Sequence, residues 1–164
     1  MLRDKNLIPL SHQHQHALAL CVRIERASPI PQNDLGAWQA ELAQLAQSEI
    51  AVHFAAEEQI VFPAAERFEE LKGLVKQLVS EHEDLRTRLA NAKEGGVSSD
   101  EILVLARTLS THIRKEERQL FERMQQLLSI EELGILGSTL KSALQNDEES
   151  CLLPSATTRL RPLK

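Results

Sequence analysis

The chain has 164 residues, 42% of them hydrophobic and 26% charged, with a net charge of −5 and two cysteines. That length supports one domain with a real core, and the mild acidity argues against nucleic acid or an anionic membrane as partner. Two cysteines make no disulfide framework, no apolar run approaches the roughly 20 residues of a membrane span, and the N-terminus lacks the apolar core of an export signal, so a cytoplasmic location is expected.

Residues 7–26 predict a first helix, with Pro9 in its first turn and Pro29 and Pro31 ending it. At about 100° per residue, Leu7, Leu10, His14, Ala17, Leu18 and Cys21 form one stripe, and His12 and His16 fall on the other side. Asn33 or Asp34 is expected to cap a second helix over residues 34–62. Its inner face carries Leu35, Trp38, Leu42, Leu45, Glu49, His53, Ala56, Glu57 and Ile60. Pro63 predicts a break or kink there, with residues 64–70 continuing as a short helical turn.

The third helix is expected over residues 71–92, where Leu71, Val75, Leu78, Leu85 and Leu89 make an apolar stripe interrupted only by His82. Gly95-Gly96 ends it, and Ser98-Ser99-Asp100-Glu101 offers several caps for a fourth helix over residues 100–128. Ile102, Leu105, Leu109, Ile113, Glu116, Leu120, Met124 and Leu127 define that helix's inner side, with His112 at one margin. Ser129 caps a shorter fifth segment over residues 130–146. Strand-like alternation is nearly absent. The fold expected is all-α: an up-down-up-down four-helix bundle with a short additional C-terminal helix, one domain over residues 1–146, followed by a mobile tail over residues 147–164.

The polar residues that interrupt these stripes carry the chemistry. They are His14, His53 with Glu57, His82, and His112 with Glu116; each long helix supplies one histidine, and the second and fourth add a glutamate four residues on. Residues four apart share a helix face. The pattern of a histidine followed by His-x-x-x-Glu occurs twice, at spacings of 39 and 30 residues, and the His53 and His112 motifs continue alike through Glu-Glu to an aliphatic residue and Phe. A single histidine on an apolar stripe is ordinarily a hydrogen-bonded core residue, and a single marginal glutamate is ordinarily solvated. Four imidazoles and two carboxylates in one interior are different, because burying them uncompensated would cost several kcal/mol each, and a cation compensates them. The set exceeds the four ligands of one structural zinc site, contains no cysteine, and suits two metals, with iron or manganese ahead of zinc. The Glu-x-x-His spacing of ferritin-like proteins is missing, since Ile50, Val79 and Leu109 stand three residues before His53, His82 and His112.

His53-Phe-Ala-Ala-Glu-Glu with Phe62-Pro63, Glu81-His82-Glu83-Asp84-Leu85, and His112-Ile113-Arg114-Lys115-Glu116-Glu117 resemble the hemerythrin-like, or HHE cation-binding, domain. The resemblance covers residues 7–128 and implies a four-helix bundle around a two-iron centre. By that pattern His53, Glu57, His82, His112 and Glu116 are metal ligands, with His14 completing the set; the first two helices serve one iron, the last two the other, and carboxylates bridge. Oxygen-carrying members have a second histidine one turn from the third-helix one, where this chain has Leu78 and Arg86, and an Asp five residues after the fourth-helix histidine, where it has Glu117. These departures argue against a reversible carrier.

The function expected is binding or sensing O2 or NO, or handling iron. The alternatives are an enzyme acting on O2, peroxide or NO, and a helical interaction module with a structural metal. The remaining features have ordinary roles: Cys21 packs in the core, Trp38 closes one end of it, His12 and His16 are solvated, Glu58 and Glu117 sit behind the site or in solvent, and Glu49, one turn from His53 on the same face, is expected to orient that imidazole from behind, with joining the site as the alternative.

Overall fold

A computed structural model describes residues 2–144, and every regular element among them is helical. Helix α1 spans Ile8–Ala27 and is followed by a 3-10 turn, Gln32–Asp34. Helix α2 runs over residues 35–66, α3 over Glu69–Glu94, α4 over residues 99–127 and α5 over Ile130–Leu144. None of the described helices is long and apolar enough to cross a membrane. The tail expected to be mobile lies outside the described residues, as do residues 145 and 146 of the expected fifth helix.

Two helices are not α-helical throughout. Helix α2 contains π-helical turns at Ala46–Ile50 and Glu57–Val61, and α4 contains one at Glu116–Phe121. In the second of these the Phe62 amide donates to the Glu57 carbonyl, five residues back. Of the break or kink expected at Pro63, the break does not occur: helix α2 continues through Pro63 to Glu66. Pro63 falls in the first turn of the α-helical segment that follows the π turn, where a missing N–H costs least. The expected cap at Asn33 or Asp34 is also absent. The Asp34 side chain makes no cap bond, and its amide instead donates to the Pro31 carbonyl at 2.9 Å in the 3-10 turn. At α4, by contrast, Ser98 and Glu101 form a reciprocal capping box.

Helix α1 packs along α4, α2 along α3, and α3 along α4, while α5 rests on α1 and α2. The apolar core divides into two clusters. On α1 the sequence passes from one cluster (Leu7, Leu10) to the other (Ala17, Leu20, Ile24), and α2 passes back again, from Leu42 and Phe54 to Val61 and Phe62. The alternation repeats on α3, from Leu78 to Leu85, and on α4, from Leu109 and Ile113 to Leu120 and Met124. In each helix the change of cluster falls where the histidine or the His-Glu pair sits, so the polar layer is sealed by hydrocarbon on both sides.

Candidate metal centre

The structure brings His14, His53, Glu57, His82, His112 and Glu116 together from four helices, all buried, with Glu57, His82 and Glu116 at 0% exposure. Glu57 Oε1 lies 3.2 Å from His53 Nε2 and 3.8 Å from His14 Nε2, while its Oε2 lies 3.4 Å from His82 Nε2. Glu116 mirrors it: Oε2 lies 3.2 Å from His14 Nε2, and Oε1 lies 3.1 Å from His112 Nε2 and 3.6 Å from His82 Nε2. Each carboxylate therefore turns one oxygen to the α1–α2 imidazoles and the other to the α3–α4 imidazoles. Both glutamates are the first residue of a π-helical turn; such local distortions of a helix recur at functional sites.

None of these eight inward atoms makes an aligned hydrogen bond; among the described residues the only other buried side-chain polar atom without a partner is Arg3 Nε. Buried polar atoms are otherwise almost always satisfied. Donor atoms of His14, His53, Glu57 and Glu116 lie within 4.8 Å of one another, as do those of His82, His112 and Glu116, and nitrogen and carboxylate oxygen are the donors that a divalent transition metal takes. The residues present fit a cation.

The outer nitrogens explain how the imidazoles are held. His14 Nδ1 meets Glu117 Oε1 at 2.7 Å, His53 Nδ1 meets Gln13 Oε1 at 2.8 Å, His82 Nδ1 meets Glu58 Oε1 at 2.8 Å, and His112 Nδ1 meets Glu81 Oε2 at 2.9 Å. All four partner atoms are acceptors, which assigns a proton to every Nδ1 and turns every Nε2 inward. Aromatic faces complete the restraint, with Phe54 stacked on His82 at 3.7 Å between centroids and Phe121 parallel to His14 at 5.7 Å.

Charge is balanced within the cluster. Burial alone would lower the pKa of His14, but the carboxylates of Glu116 and Glu117 outweigh it and raise it to about 10. The same contest, with Glu116 and Glu57 winning over burial, raises His82 to about 9. Burial would push both inner carboxylates up; His53 and His82 hold Glu57 below its usual range, and His112, His14 and His82 hold Glu116 well below it. Glu117, lifted by burial but bonded by His14 and Ser11, falls to about 2. Protons on imidazole nitrogen thus neutralise the carboxylates wherever no cation does so, and a cation must displace them.

Glu58 and Glu117, read from the sequence as lying behind the site or in solvent, support histidines on other helices. Glu49 lies 3.2 Å from the exposed His16, and the Nδ1 of His53 goes to Gln13 rather than to Glu49. Gln13 and Glu81 were missed, although each immediately precedes a site histidine. Their partners, His53 and His112, are on the following helix, so only the tertiary packing reveals the pairing.

A helical protein with a sealed layer of four imidazoles and two doubly facing carboxylates is, as a class, a helical cation-binding protein. The chain belongs to the hemerythrin HHE cation-binding domain family, whose model matches residues 9–124. Neither the curated proteins nor the solved structures compared give a match.

Proposed function

We propose that this chain is a two-iron protein, an up-down-up-down bundle forming one domain over residues 1–146, that works in the cytoplasm to bind or sense O2 or NO or to handle iron. The observation that carries the reading is that the inward atoms gather into two neighbouring groups. His14, His53, Glu57 and Glu116 offer four donor atoms within 4.8 Å of one another, and His82, His112 and Glu116 offer three; Glu57 Oε2 lies 3.4 Å from His82 Nε2 beside the second group. The alternating membership of successive helices in the two core clusters supports the up-down topology.

When bound, the irons supply a change of oxidation state and a coordination position open to a diatomic ligand. The chain's own residues hold the ions with the inner nitrogens and the two carboxylates, fix the imidazole orientation through the Nδ1 bonds, and exclude bulk water with the two apolar clusters. A cavity of about 20 Å³, bordered by His14, His53, Phe54 and Ile113, has room for one water-sized molecule. That size favours a diatomic over an organic substrate. Leu78 is fully buried and Arg86 is turned to Glu58 at 2.8 Å, so neither helix position beside His82 adds an imidazole; this favours sensing, detoxification or iron handling over reversible carriage.

The test is metal analysis of protein purified without air, with absorption spectra before and after air. Two irons per chain and a spectral change on exposure are expected. One tightly bound zinc per chain would overturn the reading. His14→Ala is expected to lower metal content, and His12→Ala and His16→Ala to leave it unchanged.

A further inference from the structure

The support behind the four imidazoles follows an internal repeat. The residue before the first histidine of each half, Gln13 or Glu81, accepts from the histidine on the next helix, His53 or His112. The second glutamate of each motif, Glu58 or Glu117, accepts from the first histidine of the other half, His82 or His14. Three of these four acceptors are carboxylates, each itself met by a cationic side chain: Glu117 by Arg3 at 2.5 Å, Glu58 by Arg86 at 2.8 Å, and Glu81 by Lys115. The fourth, Gln13, is a neutral amide.

A carboxylate that accepts the Nδ1 proton raises the basicity of Nε2 and locks the ring, and the charge-assisted bond is about twice as strong as a neutral one. We propose that the two halves of the site are unequal cation positions, with the His82–His112 half the tighter one and the His14–His53 half the weaker one, and that Gln13 sets the difference. The inference rests on the two-cation reading above. A second observation points the same way: the cavity beside the site is bordered by Gln13, His14 and His53 and by neither His82 nor His112. The space beside the site that holds a water-sized molecule therefore borders the half whose ligands are held less strongly. Gln13 is a positioning residue in this scheme, acting only through His53.

The test uses Zn(II) as a redox-silent probe, titrated into the metal-free full chain with nitrogen-15-labelled histidine and followed by NMR. His82 and His112 Nε2 resonances are expected to shift before those of His14 and His53, the two steps differing by about 10–100-fold in affinity. Gln13→Glu is expected to tighten the second step by about tenfold, while Gln15→Glu, which adds the same charge at an exposed position on α1, leaves both steps in place. Glu81→Gln tests the idea from the other side and is expected to weaken the first step by a similar factor. Two ions taken up together, the His14–His53 half filling first, or an equal response to Gln13→Glu and Gln15→Glu would overturn the inference while leaving two-cation binding intact. Uptake of fewer than two ions would overturn the two-cation reading and this inference with it.

Discussion

Residues 13–62 and residues 81–121 repeat the same sequence of parts: a Gln-His or Glu-His pair on one helix, then His-x-x-x-Glu-Glu on the next, with Phe five residues after the first glutamate. Both repeats place the inner glutamate at the start of a π-helical turn and lend the second glutamate to a histidine of the other half. They differ in everything that leads up to the motif. Helix α2 follows a Pro-rich loop and a 3-10 turn and carries an additional π turn at Ala46–Ile50, whereas α4 starts from a two-glycine turn and a capping box. Nine more residues separate the histidines in the first half (39 against 30), and the site absorbs the difference. What the centre requires of each half is a phase on the helix and a reach across it, not a particular loop.

The largest effect should come from the residues that the two halves share. Because Glu57 and Glu116 each face both sets of imidazoles, on the two-cation proposal Glu57→Ala and Glu116→Ala should each empty both positions, reducing metal affinity by at least about 100-fold. Metal content per chain after desalting measures it. Retention of one full ion by either variant would mean that its carboxylate serves a single half, and the equivalence of the two motifs would be broken.

The next contrast is at the residue following each motif histidine, where the first half has Phe54 and the second Ile113. Phe54 is 2% exposed, stacks on His82 and meets the edge of His112. Phe54→Ala should cost about 3–5 kcal/mol of folding stability, against about 0.5–1.5 for Ile113→Val. Denaturant unfolding of the metal-free chain reads both, and equal losses would show that Phe54 supports no more than ordinary packing.

The parts of this comparison that were legible in the sequence are those that depend on one helix at a time. An apolar stripe interrupted by His14 or His82, and a histidine with a glutamate four residues on, are visible from helical phase alone. The interhelical bonds were not legible. Gln13 and Glu81 lie beside histidines that they do not bond, and the π turns use residues with no distinctive composition. Asp34 has the chemistry of a cap but is bypassed by the backbone bond of the preceding turn.

Protonation offers a test in which the two halves should agree. Each half contains at least one imidazole raised above its ordinary value: His14 to about 10 in the first, and His82 to about 9 in the second, where Glu116 also raises His112 against burial. For such groups the stabilising contribution to the metal-free fold is complete below the unfolded value of about 6.5 and is lost as pH rises through 9 to 10. A cation binding in either half must displace that proton, so apparent affinity should climb with pH between about 6.5 and 9. The slope should approach about tenfold per pH unit for each ion. The metal-induced rise in thermal midpoint should grow over the same window. A flat profile for one half would identify an imidazole that reaches the bound state already neutral.

The smallest effect separates the N-termini of α2 and α4. At α4 the Ser98 hydroxyl accepts from the Glu101 amide at 3.2 Å, and the Glu101 carboxylate accepts from the Ser98 amide at 2.7 Å, satisfying two end donors that helix geometry leaves without partners. At α2 the corresponding side chain, Asp34, caps nothing. Ser98→Ala should therefore lower stability by about 1 kcal/mol, and Asp34→Ala by less than about 0.5. Neither residue touches the centre, so both variants should keep the metal content of the parent chain. If Asp34→Ala proved as costly as Ser98→Ala, the negative charge at the α2 N-terminus would be contributing through the helix dipole what its side chain does not contribute by hydrogen bonding, and the two helix starts would be energetically alike despite their different geometry.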